Sequence, residues 1–138
     1  MEKDQIQAQK YALTLQRTIQ THYNYLNGVV EAFHEKCQRI TPERKVPPDI
    51  VNQIRQSYKE IQNRLAEIKA TQQLLQTKYR QFYHRDPLRD KKITEYQFIS
   101  KNAYSKFEFT LKEIEAKQKM ERERLAQMRK NEPPRGTF

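Results

Sequence analysis

The residues whose types and spacing could do chemistry are few. His34 and Cys37 stand three apart, so on a helix they share one face. An imidazole and a thiolate there would supply two of the four ligands of a tetrahedral zinc site. His22 and His84 are the other histidines and Cys37 is the sole cysteine. In the helical arrangement derived below, His84 falls at the end remote from His34 and cannot complete the set. A buried Cys37 beside a surface His34 is therefore the expected arrangement. No serine or cysteine nucleophile has a histidine base in the same turn, and the glutamates are spread along helical surfaces. Gly28 and Gly136 are the only glycines, so no glycine-rich loop can cradle a phosphate. The expectation is a chain that is not an enzyme, with no metal, no cofactor and no small-molecule substrate.

A second constellation could bind rather than react. Lys78, Arg80, Arg85, Arg89, Lys91 and Lys92 stand against only Asp86 and Asp90, with Tyr79, Phe82, Tyr83 and His84 interleaved. Cations beside rings can hold phosphates and stack bases. They can also dock an acidic protein surface, with Tyr and Arg as anchors, or form a solvated turn whose rings close a bundle. No established nucleic-acid motif accompanies them. Lys78, Arg80, Tyr83, Arg85, Arg89, Lys91 and Lys92 are the candidate partner-binding residues. A turn offers few i,i+4 partners, so their charges are expected to serve association more than folding. On the first helix Tyr11, Thr18, Tyr25, Val29 and Ala32 form a second stripe, and Tyr11, Tyr25 and Val29 are candidates to meet another chain.

Composition bounds the elements that carry these residues. Apolar residues make up 36% of the 138 and charged residues 32%. The usual apolar share is about 45–50%. A compact α/β enzyme needs a fuller core and more glycine, which leaves long thin helices or disorder. The 27 lysines and arginines against 17 acids give a net charge of +10, which favours acidic partners. The N-terminus, Met1-Glu2-Lys3-Asp4-Gln5, lacks the apolar core of a signal peptide. An intracellular, not secreted, location is expected, with mitochondrion, cytoskeleton or axoneme, and nucleus left open.

Periodicity decides for helices. Ala8, Ala12, Leu15, Ile19, Tyr23, Leu26, Val30, Phe33, Cys37 and Ile40 are spaced by three or four. Gly28 interrupts this stripe and is read as a point of close packing. Val51, Ile54, Tyr58, Ile61, Leu65, Ile68, Gln72, Leu75, Tyr79 and Phe82 alternate steps of three and four, which is a coiled-coil seam with a polar break at Gln72. Tyr104, Phe107, Leu111, Ile114, Gln118, Glu121, Leu125 and Met128 continue the rhythm, and Ile93–Ala103 is irregular enough to be partly extended. Helices are expected over about 4–40, 48–84 and 93–130, as one unit spanning 1–131, followed by a tail at 132–138.

The fold class is all-α: an elongated antiparallel three-helix coiled coil, or alternatively a helical hairpin whose third helix packs on a partner. In that register Gln72 lies near Tyr104 and Tyr58 near Gln118, forming polar layers. Lys78-Tyr79-Arg80-Gln81-Phe82-Tyr83, then Asp86-Pro87-Leu88 and Ile93 to Tyr96, resemble the helix end and linker of a helical head-module subunit of the Mediator complex. That resemblance implies an architecture suited to subunits of large assemblies. The expected function is a structural subunit of a multi-protein complex that binds acidic surfaces of other subunits through a basic face. The alternative is a nucleic-acid-binding protein of a ribonucleoprotein. Peripheral membrane contact is not expected, because no helix sets a one-sided Lys/Arg face against Trp or Phe.

Overall fold

In the computed structural model, which describes residues 2–131, the chain forms α1 (Glu2–Gln38), α2 (Pro48–Lys78) and α3 (Pro87–Lys130). A 3-10 turn, Arg80–Phe82, lies between α2 and α3, and there is no strand among the described residues. The tail assigned to 132–138 lies outside the described residues. No helix among those described is long and apolar enough to cross a membrane.

Local chemistry sets the helix starts. Pro48 opens α2 with its φ already helical, and Asp49 follows in the first turn. Asp86 is extended and its side chain accepts the Arg89 backbone N–H, while Pro87 takes the first position of α3. This cap starts α3 six residues before the expected 93, so the stretch Ile93–Ala103 is helix and not extended. Its buried face is Tyr96, Ser100 and Ala103, residues too small or too polar to mark a stripe. At its other end α2 stops at Lys78, well short of the expected 84.

The three helices form a bundle with α1 as the common partner. Ile19, Leu26, Val30 and Phe33 of α1 are buried with Ile54, Ile61, Ile68 and Leu75 of α2 and Phe107 of α3. Contact of α1 with α2 and with α3 is extensive, whereas α2 and α3 touch much less. Tyr11 of α1 meets Tyr79 at 5.4 Å between ring centroids, and Phe33 meets Tyr58 of α2 at 6.0 Å, so these two helices run in opposite directions. Asn27 and Gln20 of α1 meet Tyr96 and Arg89 of α3, so α1 and α3 run the same way.

The axial register differs from the expected one. Gln72 Nε2 donates to Asp90 Oδ1 at 2.9 Å, not to Tyr104. Tyr104 instead stacks on Tyr58 at 3.9 Å between centroids. The slip is about four helical turns. It follows from the early start of α3, which places more helix beside the end of α2. Gln72 still finds a polar partner, but Thr71 is the residue buried in the seam. Gln118, expected beside Tyr58, is exposed.

Gly28 marks a break in α1. Asn27 has ψ 93° and Gly28 has φ 113°, so the helix is kinked there. A Cβ at Gly28 would meet nothing within 4 Å, which rules out close packing as the reason for glycine. Conformation is the reason, since an L-residue rarely adopts that φ. The Tyr96 hydroxyl donates to Asn27 Oδ1 and ties α3 to the break. Burial, and then the adjacent Tyr23, raise the Tyr96 phenol above its ordinary value and keep it a donor.

The last part of α3 outruns its partners. Arg55 of α2 pairs with Glu108 at 3.1 Å, so Pro48, the start of α2, lies about level with residue 115. Leu111 is buried, yet every residue from Glu115 to Lys130 is exposed. This overhang is about 24 Å of helix. The expected seam thus continues past the bundle instead of packing within it.

Candidate partner-binding surface

The basic residues named from the sequence reach one end of the bundle, but they divide into two groups. Arg85 Nε binds Asp90 Oδ2 at 2.8 Å, and Asp90 Oδ1 accepts from Gln72 of α2. Arg89 Nη1 donates to Gln20 Oε1 of α1 at 3.1 Å. Arg85 and Arg89 therefore have internal partners, although the turn was expected to offer few. The reason is again the short turn: Asp90 lies inside the first turn of α3 and faces back onto α2.

Tyr83 is half-buried beside the same group. Burial, and then the Asp90 carboxylate, raise its phenol above the ordinary value, with Arg89 and Arg85 opposing. It closes the α2/α3 groove and is part of the fold's end cap.

Lys78, Arg80, Lys91 and Lys92 are exposed and make no ion pair among the described residues. They are not one patch. Lys78 borders the α1/α2 side with Tyr11 and Tyr79, while Lys92 borders the α1/α3 side with Asn27 and Glu95. Tyr79, Phe82 and Tyr83, which lie between these cations in the chain, are half-buried.

The stripe on α1 is partly used within the chain. Tyr11 is half exposed and leans on Tyr79. Tyr25 lies under the Arg64 guanidinium, 4.1 Å from its ring centroid. Arg64 also binds Glu60 at 3.1 Å and donates to His22 Nδ1 at 3.1 Å. A guanidinium has only donors, so His22 Nδ1 is the acceptor there. Val29 packs against the core cluster.

Cys37 is buried, and burial pushes its thiol up to about 11. His34 is half-buried nearby on the same helix, and among the described residues no three histidine, cysteine or acidic side chains converge as a metal site. A thiol so placed is a poor nucleophile. Labelling of Cys37 by a disulfide reagent at pH 8 should be slow in the native protein and should reach the rate of a free thiol once the chain is unfolded. Fast native labelling would mean that the end of α1 is open.

Two features escaped the sequence reading. One is the α1/α3 groove at the Gly28 break, a cavity of about 500 Å³ lined by Val30, His34, Lys92, Phe98 and Ile99. A glycine amid a helical stripe was its only sign. Phe98 and Phe109 stand out from α3 at 68% and 64% exposure. The other is the pairing across α2 and α3. The Tyr104 hydroxyl, then Arg55, hold the Glu108 carboxyl below the usual carboxylate range against the opposing effect of burial.

Comparisons of this chain with protein-family models, with curated proteins and with solved structures find no match, so the resemblance noted around Lys78–Tyr96 gains no support from them.

Proposed function

We propose that this protein is a non-catalytic structural subunit of a larger multi-protein assembly, and that it holds acidic surfaces of neighbouring subunits through the basic end of its bundle. The observation that carries the reading is that four cations flanking the α2–α3 connection, Lys78, Arg80, Lys91 and Lys92, are exposed and make no ion pair among the described residues. An exposed ion pair would contribute only about 0–1 kcal/mol to folding, whereas the same charges can raise the on-rate for an acidic partner and set its salt dependence. In this reading the three seams form an elongated antiparallel coiled coil, a stiff strut that presents its charged end at a fixed distance.

The test is to change Lys78, Arg80, Lys91 and Lys92 together to glutamate, leaving Arg85 and Arg89 in place because they bind within the fold. Helicity and melting should stay close to the parent, while co-purification with the native assembly should fall and lose its salt sensitivity. Unchanged co-purification at both a low and a high salt concentration would remove the proposal.

The exposed His84 beside half-buried Tyr83 and the same cations favours a second reading, binding of RNA or DNA. Phosphate binding weakens steeply as salt rises. Filter binding over a salt series discriminates the two readings, and absence of binding to any RNA or DNA at low salt would eliminate this one.

A further inference from the structure

The overhang of α3 carries a pattern that fits a second copy of itself. The bundle-facing stripe of α3 continues beyond the bundle as Ile114, Gln118, Glu121, Leu125 and Met128, with alternating steps of four and three. Within the bundle the same stripe is Phe107 and Leu111, both buried against α1 and α2. Beyond it the partners stop and the stripe does not: Leu125 and Met128 are 53% and 55% exposed. An interface already formed inside the molecule thus runs on without a cover.

The order of residues along the stripe is symmetric about the point between Lys119 and Met120. In an antiparallel coiled coil, a and d positions of opposite chains share a layer. With two copies centred on that point, Ile114 meets Leu125 of the second copy, and Gln118 meets Glu121. The pairs repeat in reverse on the other side. Apolar residues face apolar ones, and each glutamine amide can donate to a carboxylate, which marks the register. Met128 then reaches the bundle end of the other copy, near Leu111.

Edge charges choose the direction. In the antiparallel register Glu115 lies beside Arg122 of the second copy, twice by symmetry, and Lys117 lies beside Arg124, also twice. A parallel pair would set Lys117 against Arg122 and Arg124 against Arg129, and would stack Glu121 on Glu121. The antiparallel form balances two attractive Glu115–Arg122 pairs against two repulsive Lys117–Arg124 pairs, whereas the parallel form contains only like-charge pairs and is the more penalised. The arrangement is isologous and closes as a two-fold dimer.

We infer that the end of α3, from half-buried Ile114 through the exposed run to Met128, is a homodimerisation helix that pairs antiparallel with the same segment of a second copy and leaves the two bundles at opposite ends. This inference does not depend on the basic end, which lies at the far end of the bundle. Two heptads form a short seam, so the dimer should be in concentration-dependent exchange.

The test is sedimentation equilibrium of the full chain across a wide concentration range. The mass should rise from 16.8 kDa toward twice that value. Leu125→Asp should hold it at the monomer without changing the melting of the bundle, because Leu125 is 53% exposed and lies in the overhang. Arg122→Glu should also weaken the dimer, and Glu115→Arg added to it should restore the dimer. Residues 115 and 122 are too far apart on one helix to pair within it. With Cys37→Ala as background, a mixture of Ile114→Cys and Leu125→Cys chains should cross-link as a heterodimer. A parent that stays monomeric at every concentration overturns the inference. So does a dimer indifferent to Leu125→Asp, or cross-linking of Ile114→Cys chains with one another, which requires a parallel pair.

Discussion

Replacing Phe107 with alanine should cost about 3–5 kcal/mol, the largest loss expected from any single truncation in this bundle. Phe107 is 1% exposed and stands at the end of a run of rings through all three helices. Phe33 of α1 lies 6.0 Å from Tyr58 of α2, Tyr58 stacks on Tyr104 of α3 at 3.9 Å, and Tyr104 lies 5.9 Å from Phe107. Because α2 and α3 touch little elsewhere, this run is their main apolar contact, and the void left by Phe107 opens beside it. Deleting a ring removes both its transfer energy and the contacts of its neighbours. Folded domains are stable by only about 5–15 kcal/mol, so the loss should take a large share of the total and lower the melting temperature markedly. Leu65→Ala should cost less, toward the low end of about 2–5 kcal/mol, because Leu65 is 8% exposed and borders the open α2/α3 groove. Urea titration of both variants measures the difference. A Phe107→Ala loss below about 1 kcal/mol, typical of surface positions, would place this residue outside the core.

Gly28→Ala should destabilise the protein by about 1–3 kcal/mol, the cost of holding an L-residue in a sparsely populated backbone region. In an ordinary helix interior the same change stabilises by up to about 1 kcal/mol, so the sign alone decides. Nothing surrounds the position within 4 Å, and steric clash cannot contribute. The whole effect comes from φ at 113°. Relief is available only by straightening α1, which would carry Asn27 away from Tyr96 and rotate Leu26 against Val30, two residues now both buried. The same urea titration tests it. A stabilised variant would mean that α1 runs straight and that the α1/α3 groove has a different shape.

What the sequence disclosed was faces, and what it withheld was axial position. Ile19, Leu26, Val30, Phe33, Ile54, Ile61, Leu65 and Ile68 were legible because branched and aromatic residues recur at steps of three and four, and all are buried. Every heptad of such a stripe looks alike, so nothing in it says which turn of α2 faces which turn of α3. That depended on where α3 begins, and the cap at Asp86 is one residue of local chemistry within a charged run. The buried Ser100 and Ala103 hid the first part of α3 for the same reason: a closely packed face needs small residues, and these do not register as apolar. The basic residues were legible as a cluster, but their division was not. Arg85 and Arg89 find Asp90 and Gln20 only through the tertiary arrangement, while Lys78, Arg80, Lys91 and Lys92 are left facing outward.

The unequal sharing of contact, with α1 touching both other helices and those two scarcely touching each other, sets an order of assembly on the ribosome. The first helix to emerge is the one that both later helices require. It must wait as an isolated amphipathic segment, marginally helical, until α2 is synthesised and can fold back on it. The α1–α2 hairpin then presents a surface on which α3 docks as it appears. If α1 came last, α2 and α3 would have no apolar surface to bury and would stay exposed together for the length of synthesis. Synthesis from the N-terminus therefore leaves the apolar face of α1 uncovered until α2 emerges, and in return gives each later helix a formed surface to bury against as it appears.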